Sequence, residues 1–299
     1  MTTLLYGRPP AVFDPPGAAV QTSPLIPGST ALEDVAPGSA EAAMIYAPPG
    51  AVERRYTLAL ALRALKPGGR LDVMAPKDKG GSRLGKELKA FGLEVNETAK
   101  AHHRRCVVIR PDAVEGLDAA IAQGAPRLVE GLDAWSQPGV FAWDRIDPGT
   151  ALLAQHLPPL KGTGADLGCG FGALATVVLR SPAVTALRLI DLDRRAVAMA
   201  QRNVTDERVS FDWADVRTVP AEAALDFIVT NPPFHDGGAE DKRLGQKFIR
   251  QAAALLKKGG VLWLVANRHL PYEAELNEAF KRVRPVADAG GYKIFEAVK

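Results

Sequence analysis

The 299-residue chain, with 47% apolar and 24% charged residues and a formal net charge of +3, has the composition of a soluble globular enzyme of two domains whose mild basicity permits a polyanionic partner without demanding one. Cys106 and Cys169 sit outside any disulfide or zinc spacing, no apolar run approaches the ~20 residues of a bilayer span, and "MTTLLYGRPPAVFDPPG" at the N-terminus lacks a secretory pattern. The expectation is a cytoplasmic, metal-free monomer with no membrane contact.

The first forty residues, rich in Pro, Gly and Ala, read as irregular apart from one short strand at Leu4 to Tyr6. "AAMIYAPPG" then reads as a buried strand and "VERRYTLALALRALKPGG" as a helix stopped by its terminal Gly-Gly. "RLDVMAPK" follows as a strand, "SRLGKELKAFGLEV" as a helix with its exit, and "RCVVIRP" as another strand. "HHRRC", His102 to Cys106, is a basic stretch suited either to a solvated edge or to an RNA backbone.

"GADLGCGFGALATVVLR" places the end of an apolar strand before Gly168, Gly170 and Gly172 and a helix after them, a turn in which glycines let the backbone approach a ligand. Gly168, Gly170 and Ala173 also satisfy the dinucleotide pattern, but Asp166 separates the cases: a carboxylate there disfavours a pyrophosphate and suits a zwitterion with an ammonium group. "ALRLID" ends a second strand at Asp191, placed to accept from both hydroxyls of a ribose, and Asp193 is spaced to cap the helix "LDRRAVAMAQRN". A third strand, "RVSFDWAD", ends at Asp215, placed to accept from an adenine amine. Three acids at successive strand ends predict a nucleoside pocket.

The chain continues with a strand and loop, "LDFIVTNPPFHDGG", a helix, "GQKFIRQAAALLKKGG", a strand, "VLWLVANRHL", a helix, "YEAELNEAFKRV", and a strand, "YKIFEAV". This repeats the order of the first half. Pro48-Pro49 matches Pro232-Pro233 at an offset of 184, and Gly68-Gly69 matches Gly259-Gly260 at 191, so one insertion of seven residues reconciles them. Where the second copy has Asn231 and Phe234, the first has Ala47 and Gly50, and residues 1–42 contain nothing like the glycine loop. The fold expected is α/β, two Rossmann-like domains from an internal duplication: a degenerate, shortened one over 1–125 and a working one over 126–299.

Asp166-Leu-Gly-Cys-Gly-Phe-Gly, "LIDLDRRAVAMAQRN" and "VTNPPFHDGG" resemble class I S-adenosylmethionine-dependent methyltransferases, and within them the small-subunit ribosomal RNA guanine-2-amino methyltransferases. "QPGVFAWDRIDPGTALLAQHLP", Gln137 to Pro158, resembles the segment that precedes the glycine loop in that family. The resemblance implies S-adenosyl-L-methionine held by Asp166, Gly168, Cys169, Gly170, Asp191, Leu192, Ala214, Asp215 and Asn231. It also implies a first domain that is a duplicated methyltransferase fold without cofactor binding, serving RNA docking or structure.

Asn-Pro-Pro-Phe suits an exocyclic amine. The Asn231 oxygen and the Pro232 carbonyl can accept the two amine hydrogens and favour the pyramidal, charge-bearing nitrogen of the transition state over the planar ground state. Phe234 offers a stacking face to a flipped base, and Phe141 and Trp143 are candidates to line the same pocket. Because the methyl donor is already activated, alignment supplies most of the catalysis and no strong base is required. His235 reads as structural or as a base, and Asp236 and Gly237 as loop-shaping. Three alternatives stay open: an adenine amine or a protein glutamine amide as acceptor, a noncatalytic RNA-binding assembly factor, and a dinucleotide-dependent oxidoreductase.

Overall fold

The computed structural model describes residues 2–222, 224–233, 235–236, 239–240 and 242–299, with the backbone alone at 235, 236, 239, 240 and 242. The chain forms two compact units, Met1–Pro126 and Arg127–Lys299, each an α/β layer structure around a mixed sheet. Among the described residues no helix is long and apolar enough to cross a membrane.

The first unit holds β1 (Thr3–Tyr6), β2 (Val20–Gln21), β3 (Ala40–Tyr46), α1 (Ala51–Ala64), β4 (Leu65–Pro76), α2 (Leu84–Lys89), β5 (Asn96–Lys100), β6 (His103–Ile109) and α3 (Leu117–Gly124). Its sheet has the order β2-β1-β3-β4-β6-β5, parallel through β4 and antiparallel beyond it. Helix α1 is apolar over most of its circumference and buries Tyr56, Leu58, Leu60 and Leu62, as a helix enclosed on several sides must. Gly124 lets α3 close on it, because a Cβ there would stand 2.3 Å from Tyr56 Cβ.

The second unit opens with a small ribbon, β7 (Arg127–Val129) and β8 (Ala134–Ser136), and continues through α4 (Pro148–His156), β9 (Gly162–Leu167), α5 (Ala173–Val178), β10 (Val184–Asp191), α6 (Arg194–Asn203), β11 (Val209–Trp213) and β12 (Leu225–Thr230). A two-residue ribbon, β13 (His235–Asp236) and β14 (Ala239–Glu240), leads into α7 (Lys242–Leu255), β15 (Leu256–Asn267), α8 (Glu273–Ala279), β16 (Arg282–Ala289) and β17 (Tyr292–Val298). The main sheet has the order β11-β10-β9-β12-β15-β17-β16, with the first five strands parallel and the last two antiparallel. The chain winds outward from β9 to β11 and then crosses to β12 on the other side of β9. That reversal is the switch point at which open parallel sheets bind ligands beyond their carboxyl ends. The loops after β9 and β12 therefore emerge side by side.

Two expectations need correction. Gly68-Gly69 and Gly259-Gly260 are not helix stops; they lie inside β4 and β15, which begin directly after α1 and α7. Gly68 and Gly259 have φ of 77° and 80°. Each makes a bulge: pairing steps from Ala40↔Leu65 to Ala42↔Arg70, and from Leu225↔Leu256 to Phe227↔Val261. Edge strands β5 and β16 were also unanticipated, since "NETAK" is exposed along its whole length and "RVRPVADA" buries none of its residues fully.

Candidate active site

Strand β9 is buried at Ala165, Asp166 and Leu167, as a central strand covered on both faces should be. Gly164 admits the Phe227 ring, which would lie 2.2 Å from any Cβ there. The chain then turns through Gly168, Gly170 and Gly172 with φ of 77°, 55° and 92°. Gly172 is required for packing, since a Cβ would meet Val204 Cγ2 at 2.9 Å; Gly170 faces open space and is needed for its left-handed backbone. The Gly168 and Cys169 N–H groups donate to the Ile190 carbonyl at 2.8 and 3.1 Å, which locks the turn against β10. Asn203, at the end of α6, donates to the Phe171 carbonyl at 2.8 Å and to the Trp135 carbonyl at 2.9 Å, tying the loop to β8.

The acids occupy the neighbouring strand ends. Asp166 is 1% exposed, and neither carboxylate oxygen has a hydrogen-bond partner among the described residues. Burial, and second the nearby Asp191 charge, push its carboxyl up to about 8. Burial also raises Asp191, to about 6, against the opposing effect of backbone N–H groups. Its Oδ2 accepts from Gly170 N at 2.9 Å and its Oδ1 from Asp193 N at 2.8 Å. Asp193 caps α6 through Arg195 N at 2.9 Å. The Leu192 carbonyl accepts from Trp213 Nε1 at 2.8 Å, and Ala214 N donates to the Asp191 carbonyl at 3.0 Å. Asp215 does not end the strand as expected: β11 stops at Trp213, and Asp215, two residues on, caps a short 3-10 turn, accepting from Arg217 N at 2.9 Å and pairing with the Arg217 guanidinium at 2.6 Å. Cys169 is buried in one apolar cluster with Leu153, Leu174 and Val178, and that burial raises its thiol well above its ordinary value.

Across the switch point, the Thr230 hydroxyl donates to the Leu167 carbonyl at 2.6 Å, joining the end of β12 to the start of the glycine loop. Asn231 Nδ2 donates to Asp147 Oδ2 at 3.0 Å and to Thr150 Oγ1 at 2.9 Å. Pro232 is buried and Pro233 exposed. One cleft is lined by Phe141, Asp147, Thr150, Gly168, Gly170 and Asn231, among others. Phe141 is 57% exposed beside it. Trp143 does not line the cleft: it packs with Val140, Phe171, Ala196 and Met199 under the Arg127 guanidinium, 4.9 Å from the ring. Phe234 and Gly237 lie outside the described residues, as do the side chains of His235 and Asp236. Asp147, Thr150 and Asn203 were missed from sequence; "DPGT", an N-cap acid with proline at the first helical position, was the available signal for two of them.

Residues 131–296 match the methyltransferase small domain family. The ribosomal RNA small subunit methyltransferase C of Pseudomonas paraeruginosa is 33% identical over 291 residues, covering 94% of this chain and 86% of that protein. The chain belongs to the ribosomal RNA small subunit methyltransferase C family. Another relative in this family, from Shewanella halifaxensis, is 31% identical over 280 residues, 87% of this chain and 78% of that protein. The solved structure of the T. thermophilus 16S rRNA N2 G1207 methyltransferase, in complex with AdoMet and guanosine, superposes with a TM-score of 0.78 at 26% identity. It covers 100% of this chain and 88% of that one.

Proposed function

We infer that this protein transfers a methyl group from S-adenosyl-L-methionine to the exocyclic 2-amino group of a guanine in small-subunit ribosomal RNA. The observation that carries the reading is the pairing, at one switch point, of a buried carboxylate without a partner among the described residues, Asp166, with an Asn-Pro-Pro corner fixed beside it. An orphaned buried carboxylate costs free energy unless a cation meets it, and an open glycine turn lies two residues away. These residues fit a ligand that has an ammonium group and a nucleoside.

When bound, S-adenosylmethionine supplies an activated methyl group. The chain supplies positioning. Asp166 meets the ammonium, and Gly168, Cys169 and Gly170 bring backbone close. Asp191 with Leu192 holds the ribose, and Ala214 with Asp215 borders the adenine. The Asn231 oxygen and the Pro232 carbonyl accept from the base amine, so the lone pair is drawn out of the ring as nitrogen becomes tetrahedral. Phe234 and Phe141 give the base apolar faces, and the proton leaves to water once nitrogen is positive. The relatives' small-subunit RNA specificity favours guanine over adenine or glutamine as acceptor.

The first unit is proposed to be a degenerate copy that serves structure or RNA docking, in a cytoplasmic protein acting as a monomer. Support for duplication comes from strand pairing. β2-β1-β3-β4-β6-β5 and β10-β9-β12-β15-β17-β16 agree neighbour by neighbour in parallel or antiparallel sense, and both carry the same glycine bulge. Labelled methyl transfer to small-subunit RNA tests the function, with label expected in N2-methylguanine; label in adenine or in protein would refute the assignment. Calorimetry should find one cofactor per chain, and two equivalent sites would refute the degenerate copy.

A further inference from the structure

We propose that Asp147 and Thr150 are positioning residues that hold the Asn231 amide in one orientation, its nitrogen committed to the protein and its oxygen left to accept from the base amine. This rests on the reading that Asn231 touches the reacting amine. A primary amide is nearly symmetric in shape but not in chemistry: its nitrogen only donates and its oxygen only accepts. Turned the wrong way, it would set donor against donor and repel a nitrogen that is becoming positive. A free asparagine at the end of a strand has little to choose between the two orientations.

The structure removes the choice. Both Nδ2 hydrogens are used, one by Asp147 Oδ2 at 3.0 Å and one by Thr150 Oγ1 at 2.9 Å. A hydroxyl can donate or accept, so Thr150 alone would tolerate either orientation. Asp147 decides, because an ionised carboxylate only accepts, and a flipped amide would bring two acceptor oxygens together at hydrogen-bond distance. Thr150 then takes the second hydrogen.

The clamp stands on a rigid support. Asp147 is the N-cap of α4, and the same Oδ2 accepts from Thr150 N at 2.9 Å. Between them Gly149 is buried, and a Cβ there would lie 2.7 Å from the Tyr292 ring, so the helix start is seated directly on β17. Asn231 itself follows β12 without an intervening residue. The amide is therefore oriented by a helix terminus and a strand end, the kind of second layer that holds a reacting group in place.

Single-turnover methylation at saturating RNA and cofactor, with cofactor Kd and thermal midpoint measured alongside, tests this. Thr150→Val keeps the shape and the backbone cap but removes the acceptor. Asp147→Ser keeps a good N-cap but shortens the reach to Asn231. Each is expected to lower the single-turnover rate roughly five- to tenfold, the effect of one net hydrogen bond, with cofactor Kd unchanged, and Thr150→Ser is expected to restore the rate lost in Thr150→Val. Asn231→Asp adds a pH readout: two carboxylates in the clamp must share a proton, so that variant's rate should rise as pH is lowered, which a capping role alone does not produce. Wild-type rates in Thr150→Val and Asp147→Ser, in a protein that Asn231→Ala impairs, would overturn the proposal. If Asn231→Ala itself keeps the wild-type rate, the reading of Asn231 falls instead. Should Asp147→Ser fail to fold, Thr150→Val against Thr150→Ser decides.

Discussion

Strands β3 and β12 both run into a Pro-Pro pair, the first preceded by Ala47 and the second by Asn231. Pro48 and Pro49 offer their carbonyls to Arg54 Nη1 at 3.1 and 2.7 Å, and the rest of that guanidinium pairs with Glu87 at 2.7 and 2.6 Å. Arg54 is 1% exposed. Gly80, at φ +94°, makes room for it, since a Cβ would stand 2.2 Å from Nη1. The ends of β2 and β10 differ in the same way. Gln21 Nε2 donates to the Gly7 carbonyl and its Oε1 accepts from Ser23 N, both at 3.0 Å, whereas Asp191 places a carboxylate there and accepts from Gly170 N and Asp193 N. At these two corners the first unit meets its polar groups with its own side chains. The second leaves a buried carboxylate, Asp166, without a partner among the described residues. A buried polar group left without a partner calls for an explanation that an internally paired one does not.

The sharpest way to break the comparison is to empty the first corner. Arg54→Ala leaves Glu87 and two prolyl carbonyls without their donor, and loss of one partner of a buried pair costs about 3–5 kcal/mol. Denaturant unfolding should show that loss, while cofactor affinity in the second unit stays unchanged. Full stability in the variant would mean that Arg54 does not hold the corner. Next in size is the same operation on the second corner. Asn231→Ala should leave folding stability and cofactor affinity nearly intact and lower the single-turnover rate by roughly 10²–10³, as for one preorganised transition-state hydrogen bond. A wild-type rate would remove Asn231 from the chemistry.

The features legible in the sequence were those written locally. The glycine turn between β9 and α5, the acid ending β10, the Asp193 cap and the proline pair closing β12 each occupy a few consecutive residues whose backbone needs are distinctive. What escaped was written across distance or against expectation. The bonds from Asn231 to Asp147 and Thr150 join residues 84 and 81 positions apart, and nothing local marks them as partners. Arg54 lies in a helix where a charge ordinarily signals an exposed face, yet it is buried. Gly-Gly after an apolar helix reads as a stop because the same residue permits either a C-cap or a bulge, and only sheet register distinguishes them. Trp143 was assigned to the pocket by proximity in sequence to Phe141, but the two lie in a turn about Ala142, whose φ is 48°, and not in an extended segment, where residues two apart would share a face.

A smaller effect tests the ribose end of the site. Asp191→Ala removes a charged acceptor and should weaken cofactor binding by about 1.5–3 kcal/mol, measured as Kd by calorimetry. Asp191→Gln, which imitates the residue ending β2, should weaken it as well if a charge is what distinguishes the two units. An unchanged Kd in both would show that ribose is held elsewhere.

The smallest expected effect is a proton. With its carboxyl pushed up to about 8, mainly by burial and then by Asp191, Asp166 is mostly protonated at pH 7 in the ligand-free protein. An ammonium placed against it favours the ionised form. Binding near neutral pH must therefore release a proton, and affinity should rise about tenfold per pH unit as pH approaches 8 from below. Asp191, at about 6, is largely ionised above pH 7 and adds little there. The stability of the ligand-free fold runs the other way. A carboxyl whose folded value exceeds its unfolded value of about 3.9 contributes stability that is full below that unfolded value and is lost as pH rises through about 8. The ligand's own amine titrates near 8 as α-amino groups do, so the slope is read from pH 6.5 to 7.5 and compared with Asp166→Asn in the same buffers. Calorimetry at pH 7 in buffers of differing protonation enthalpy should show close to one proton released by the wild type and none by Asp166→Asn. Equal proton release in both would mean that Asp166 is not the group that meets the ammonium, and the contrast between a filled corner and a waiting one would lose its electrostatic half.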